Sequence, residues 1–103
     1  MDHQSNIITK LLIDVGSDAF SMGMIIASYL NESKEVPEFD QLRKLCPVHS
    51  AGELKAMPRQ RAYNALEILE YKGLLMRWQE KSEKGFGNMQ YRISDLFLSS
   101  LNK

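Results

Sequence analysis

The chain has little cysteine and no long apolar run. Its only cysteine among 103 residues is Cys46, which cannot form a disulfide within the chain and is typical of a reducing compartment. A membrane-spanning helix needs about 18 consecutive apolar residues, and the sequence contains no such run. Asp2 stands where a signal peptide would carry basic residues. These absences predict a cytoplasmic protein that has no membrane partner.

The sequence also lacks a pattern that would assemble a metal or catalytic site. Cys46 and His49 have metal-ligand spacing, but a structural zinc site takes four ligands and His3 is the only other histidine. The Gly-Phe-Gly stretch at residues 85–87 is followed by no Gly-Lys-Ser or Gly-Lys-Thr, so we interpret it as a turn and not as a phosphate-binding loop. No nucleophile stands with a base and an orienting group in a recognisable context. We therefore expect no enzyme, no metal and no cofactor.

The net charge is zero, but the two signs are unevenly distributed along the chain. Residues 1–41 contain seven acidic side chains against two lysines, whereas residues 42–92 contain ten basic side chains against five glutamates. Phosphate binding draws on lysine and arginine, so the second segment is the one expected to meet a nucleic acid. Chance asymmetry of this kind is also found in folded proteins, and it is the alternative interpretation of the same pattern.

With 44% hydrophobic residues the chain is expected to form a single domain over residues 1–103, mainly α with a small β-hairpin. Apolar residues at helical spacing predict helices over residues 6–15, 19–31 and 38–46. A fourth helix is predicted over residues 58–72, and a fifth is expected after residue 93. Alternating runs at residues 74–79 and 88–93 predict the two strands, with a charged, glycine-containing tip at residues 80–87 between them.

The helix over residues 58–72 is the most strongly patterned element. Pro58 suits a first helical position, and Gly73 suits the left-handed residue that ends a helix. The helix is amphipathic, and its apolar face is expected to pack against residues of the second and third helices. That face and its expected partners are Ala62, Ala65, Leu66 and Leu69 on one side, and Ile25, Ile26 and Leu42 on the other.

Capping signals suggest where other helices begin. Gly16 is expected to break the first helix from the second, which Ser17 or Asp18 could then cap. Ser50 has capping-box spacing with Glu53 and could start an additional helical turn that runs through Met57. Ser94 or Asp95 can cap the last helix.

More apolar helical surface is present than one small core needs, so a homodimer is expected to form through the N- and C-terminal helices. The residues expected in that interface are Ile7, Ile8, Leu11 and Leu12, together with the helix faces around Phe20 and Leu98.

Residues near the start of the fourth helix have the side chains that read base edges in a DNA major groove. Arginine can reach guanine, and asparagine or glutamine can pair with adenine. Tyr63 has two equally open roles, a hydrogen bond to phosphate or packing of its ring across the motif. In the tip, Lys81 and Lys84 could bind phosphates, with Glu80 and Glu83 offsetting them, while Phe86 is either tucked back or exposed. The candidate DNA-binding residues are thus Arg59, Gln60, Arg61, Tyr63, Asn64, Lys81 and Lys84.

The stretch RQRAYNALEILEYKGLL, residues 59–75, resembles the recognition helix and first wing strand of winged-helix regulators. The order of elements along the chain further resembles the TubR-type centromere-binding adaptors of tubulin-like plasmid partition systems. The positions that carry this likeness are Gly16, Asp18, Gly73, Tyr91, Ser94, Asp95 and Leu96. The resemblance implies a winged helix-turn-helix dimer that binds repeated double-stranded DNA sites. It also implies a tubulin-like GTPase filament as partner.

Two alternatives remain open at the level of sequence. A winged-helix transcriptional regulator would use the same DNA-binding residues as a plasmid or phage partition adaptor. A winged-helix protein-interaction module that does not bind DNA would suit the net charge of zero, because a fold does not fix a function.

Overall fold

Five helices and two antiparallel hairpins form the fold in the computed structural model, which describes residues 3–82 and 84–101. In chain order the elements are α1 (His3–Val15), α2 (Ser17–Asn31), α3 (Phe39–Leu45), β1 (Val48–Ser50), β2 (Glu53–Lys55), α4 (Arg59–Tyr71), β3 (Leu75–Ser82), β4 (Gly85–Ile93) and α5 (Asp95–Leu101). They build one compact domain, so the prediction of a mainly α domain with a small β component is confirmed. No helix in these ranges has the length and apolar character that crossing a bilayer requires.

Helix α2 lies at the centre of the core. It contacts α1, α3, α4, α5 and β4, which explains why its apolar residues are distributed almost all round. Met22 and Ile26 are fully buried, as is Phe97 from α5. The predicted apolar face of α4 is also buried, and Leu42 of α3 belongs to the same cluster. The orientation of α4 predicted from helical spacing is therefore confirmed.

The ends of α4 fix its position in the chain. Pro58 is the extended residue before the helix, so the prediction of Pro58 as the first helical residue was wrong by one position. At the other end Gly73 has φ +73°, and its N–H donates to the Glu70 carbonyl. The Leu74 N–H donates to the Leu69 carbonyl, which completes a Schellman-type cap. The predicted helix stop at Gly73 is confirmed.

Gly16 separates α1 from α2, as predicted, with φ +87°. The prediction that Ser17 or Asp18 caps α2 was wrong, because Gly16 is the capping residue and no side chain bonds the free amides. The Asp18 carboxylate instead accepts hydrogen bonds from Arg61. At α5 the expected cap is confirmed, since Ser94 Oγ accepts a hydrogen bond from the Leu96 N–H.

The connection between α3 and α4 forms a hairpin, not the predicted helical turn. Ser50 and Glu53 pair across β1 and β2, with Ala51 and Gly52 between them. Both of these turn residues have positive φ, as a two-residue hairpin turn of type I′ requires. Ser50 and Glu53, whose spacing suggested a capping box, therefore lie opposite each other in the β1–β2 ladder. Arg43 links α3 to the end of this connection, because its Nε donates a hydrogen bond to the Met57 carbonyl at 2.7 Å.

The second hairpin is longer than its sequence pattern predicted. Strands β3 and β4 pair in antiparallel register from Leu75 opposite Ile93 to Ser82 opposite Gly85, with an irregularity between Gln79 and Lys81. Much of the predicted tip, residues 80–87, is thus strand, and the predicted turn at residues 85–87 lies in β4. Glu83 lies outside the described residues, as do the side chains of Glu80 and Phe86. The prediction that Phe86 is either tucked back on the hairpin or exposed therefore also lies outside them.

The surface predicted for a dimer divides into buried and exposed residues. Leu11 is 4% exposed and belongs to the core of its own chain, so it offers no surface to a partner. Phe20 packs against Phe97, with ring centroids 6.1 Å apart. Of the predicted residues Leu12 stays exposed on α1, and two residues outside the prediction, Ile13 on α1 and Leu96 on α5, are exposed as well.

Candidate nucleic-acid interface

The face of α4 opposite the core, called the outward face below, is exposed to solvent. Gln60, Asn64, Glu67 and Tyr71 follow one another at spacings of four, three and four residues, and all are exposed. The Gln60 Nε2 group donates to Asn64 Oδ1 at 2.9 Å, so the two amides form a pair one turn apart. This outward face contains amide groups that can read base edges and one negative charge, on Glu67.

Arg61 lies on one flank of this outward face and is held by Asp18 of α2. Its Nε donates to Asp18 Oδ2 at 2.8 Å, and its Nη2 donates to Asp18 Oδ1 at 2.7 Å. The two parallel N–H groups of the Arg61 guanidinium thus bind the two oxygens of the Asp18 carboxylate, which is a strong bidentate arrangement. The hydrogen bonds from Arg61 hold the pKa of the Asp18 carboxyl below its usual value, and the same pair raises the pKa of Arg61. The charge of Arg61 is therefore compensated within the chain.

Arg59 lies on the opposite flank and is held by α3. Its Nη1 donates to Asp40 Oδ1 at 2.7 Å, and the same oxygen accepts from Arg43 at 2.8 Å. The hydrogen bond from Arg43, with the charges of the nearby bases, lowers the pKa of Asp40. The Arg59 guanidinium also lies 5.3 Å from the Phe39 ring centroid, within reach of a cation–π interaction.

Tyr63 packs its ring across the motif, which was one of its two predicted roles. Its ring stacks on Phe39 with centroids 4.2 Å apart and an interplanar angle of 19°. The hydroxyl accepts a hydrogen bond from Arg59 Nη2 at 3.3 Å. The ring thus joins α4 to α3, and about two fifths of the side chain remains exposed.

The candidate lysines lie at the far end of the hairpin, away from the helix ends. Lys81 is in β3 opposite Phe86, and Lys84 is in the turn between the strands. Both are exposed, and no ion pair joins either lysine to a side chain that the structure describes. Their ammonium groups have no carboxylate partner among the described side chains, in contrast to the guanidinium groups of Arg59 and Arg61.

A partly buried ion pair joins the end of α4 to the hairpin. Arg77 of β3 donates to one Glu70 carboxylate oxygen from Nε at 3.0 Å and from Nη2 at 2.6 Å. Tyr91 pairs with Arg77 across the ladder, and burial raises the pKa of its hydroxyl. This cluster fixes the base of the hairpin relative to α4.

An open cleft of about 530 Å³ lies between the segment before α3 and the inner face of the hairpin. Its walls combine the stacked pair Phe39 and Tyr63 with Arg77, Gln79, Met89 and Tyr91.

The pKa of the Cys46 thiol, which is buried in the core, is raised to about 11 by burial, so it stays protonated and is a poor nucleophile and metal ligand. No group of three metal-ligating side chains is close enough to hold an ion in the part of the chain that the structure describes.

The charge separation seen along the sequence is partly cancelled in space. Asp14, Asp18 and Asp40 come from the acidic segment and pair with Lys72, Arg61 and Arg59 of the basic segment. The expectation that the second segment carries a free excess of positive charge therefore needs correction, because Asp14 and Asp18 each offset one base around α4 and Asp40 is shared by Arg59 and Arg43. Lys81 and Lys84, which have no ion-pair partner among the described side chains, are the groups that can add a net positive potential.

Sequence reasoning missed several side chains that define this surface. Glu67 and Tyr71 follow from the helical spacing of Gln60 and Asn64, so their position could have been found from the pattern. Asp18 is 43 residues from Arg61, and no local signal links the two.

In comparisons with known proteins, no family model, no curated protein and no solved structure matches this chain. The resemblance to TubR-type adaptors therefore stays a prediction from the sequence.

Proposed function

We propose that this protein is a cytoplasmic, sequence-specific double-stranded DNA-binding protein of the winged-helix class. In this proposal α3 and α4 form the helix-turn-helix, α4 enters the major groove, and the β3–β4 hairpin is the wing. The observation that carries the proposal is the outward face of α4, where Gln60 and Asn64 are exposed next to a hairpin that presents Lys81 and Lys84. Helix and hairpin are held together by the Arg77–Glu70 pair.

The proposed roles differ between helix and hairpin. Gln60 and Asn64 contact base edges, and breaking their mutual hydrogen bond frees both amides for adenine. Lys81 and Lys84 contact phosphates and supply affinity without sequence preference. Arg59 and Arg61 flank the groove-facing surface, and Tyr63 orients Arg59 through its hydroxyl and supports α4 against α3.

The proposal includes a homodimer, because a two-fold pair would match two DNA half-sites. Exposed Leu12 and Leu96 lie on α1 and α5, which contact each other within the chain, and they give the pair an apolar surface to bury. A plasmid or phage partition adaptor with a tubulin-like GTPase partner is the form of the proposal that follows from the resemblance. A transcriptional regulator would share the same DNA-binding surface.

A protein-interaction module is the second candidate. It is favoured by Glu67 in the middle of the outward face and by the exposed Met76 and Trp78 on the outer face of the hairpin. In such a module these groups would meet a protein and not DNA. The two candidates differ in whether α4 substitutions change the binding of DNA at all.

Substitution of the amides is expected to reduce specificity. Gln60→Ala or Asn64→Ala should weaken binding to a duplex selected by the wild-type protein by about 1 to 3 kcal/mol, while a scrambled duplex should be bound nearly as before.

Lys81→Ala or Lys84→Ala should instead weaken binding to both duplexes alike and flatten the dependence of log affinity on log salt by about one unit. Fluorescence anisotropy with both duplexes over a salt series measures these effects.

Lys10→Ala is the matched control for the hairpin lysines, since Lys10 is an exposed lysine on α1 and is not among the residues proposed to contact DNA. It should change the affinity for DNA and the salt slope less than either hairpin substitution. If neither amide substitution alters the preference for the selected duplex, α4 does not read bases and the interaction module becomes the better account.

A further inference from the structure

Both arginines that flank the outward face of α4 are held by carboxylates from other elements. Asp18 of α2 binds Arg61 through two hydrogen bonds of 2.7 and 2.8 Å, and Asp40 of α3 binds Arg59 at 2.7 Å. These contacts occupy the donors that a DNA phosphate or a guanine would use. Asp18 and Asp40 are not adjacent in the chain, yet each lies beside one flank of the same helix.

A carboxylate in this position competes directly with a phosphate. Arg61 can contact DNA through Nε and Nη2 only if Asp18 gives up both hydrogen bonds, and Arg59 must likewise exchange Asp40 for phosphate through Nη1. While the carboxylates stay in place, the Asp18–Arg61 pair carries no net charge toward a duplex, and Asp40 offsets one of the two positive charges of Arg59 and Arg43. Arg59 and Arg61 then contribute little to the counterion release that drives binding without sequence preference.

We propose that Asp18 and Asp40 are internal competitors for DNA phosphates, which lower the affinity of the α4 surface for DNA of random sequence. This inference rests on the proposed DNA-binding function and adds to it two residues that set its sequence-independent part. A lower affinity for random-sequence DNA matters to a sequence-specific DNA-binding protein, because a genome offers a large excess of non-specific sites. Base contacts from Gln60 and Asn64 then decide where the protein stays bound.

The test is removal of each carboxylate charge with little change of shape. Asp18→Asn and Asp40→Asn keep the size of the side chain, and each should tighten binding to a random-sequence duplex about tenfold at 50 mM salt, since roughly one more counterion is released for each arginine freed. The salt slope should steepen by about 0.9 for each variant. Elution from heparin should move to higher salt as well, which reports the same freed charge on a second polyanion.

Asp14→Asn is the matched control. Asp14 pairs with Lys72 just after the far end of α4, so this variant makes the same change of net charge away from the flanks of the groove-facing surface. It should leave the slope and the random-duplex affinity close to the wild-type values. Circular dichroism should give all three variants the wild-type helix content, because exposed ion pairs of this kind contribute little to stability.

Each outcome decides the inference separately from the proposed function. Tighter binding and a steeper slope in the Asp18 and Asp40 variants, but not in the Asp14 variant, support it. Unchanged or weaker binding in either variant, or equal tightening in all three, overturns it, as does failure of a double variant with both Asp18→Asn and Asp40→Asn to bind the random duplex at low salt. The proposed function fails on another result, which is that the wild-type protein selects no preferred duplex from a randomised pool.

Discussion

Leu66→Ala is expected to lower the free energy of unfolding by about 2 to 5 kcal/mol, since it removes a large side chain from a closed core. Leu66 is fully buried on the inner face of α4, in the same cluster as Ile26 and Leu42. The cavity left behind loses both the burial of apolar surface and the packing contacts around it. Urea denaturation followed by circular dichroism measures the loss as a lower midpoint.

Ile68→Ala is the control for this prediction, because Ile68 is an aliphatic residue of the same helix with 39% of its surface exposed. Its truncation should cost about 1 kcal/mol or less, because part of the side chain is already in water and its removal leaves no closed cavity. A loss below about half a kcal/mol for Leu66→Ala would contradict the orientation of α4, and so would a larger loss at Ile68 than at Leu66.

Gly23→Ala should destabilise the domain by about 1 to 3 kcal/mol, although alanine is the better helix former. A Cβ atom at Gly23 would lie 2.5 Å from Cε1 and 2.6 Å from Cζ of the Phe97 ring. Phe97 is fully buried, so its ring has little room to move unless α5 shifts away from α2. The steric cost should therefore exceed the gain of about 1 kcal/mol in helix propensity.

A double-mutant cycle with Phe97→Leu shows whether the ring is the cause. The smaller side chain destabilises the domain on its own, but Gly23→Ala should then cost less than it does in the wild-type background. Equal costs in both backgrounds would contradict the close approach of α2 and α5. Stabilisation by Gly23→Ala in the wild-type protein would have the same meaning, because helix propensity alone predicts it.

Local patterns predicted the helices and the hairpin because each of these elements is specified by its own residues. The apolar face of α4 follows from a period of 3.6 residues, and the end of α4 follows from Gly73, where φ is positive. The strands β3 and β4 follow from alternation, although the pairing extends beyond the alternating residues.

Features that depend on residues distant in sequence were not predictable in this way. Ser50 and Glu53 fit a capping box and a two-residue hairpin turn equally well, and the pairing of Val48 with Lys55 decides for the hairpin. The pairing of Arg61 with Asp18 depends on how α2 and α4 pack. A charge count along the sequence therefore overestimated the free positive charge of the candidate interface.

The central claim is that α4 and the hairpin bind double-stranded DNA with a preference for sequence. The most direct test is fluorescence anisotropy of the wild-type protein with a duplex selected from a randomised pool and with a scrambled duplex of the same composition, over a salt series. We expect the selected duplex to be bound on the order of 10³-fold or more tightly than the scrambled one, with an affinity for both that falls as salt rises. Equal affinity for the two duplexes, or no binding to either at low salt, would contradict the claim.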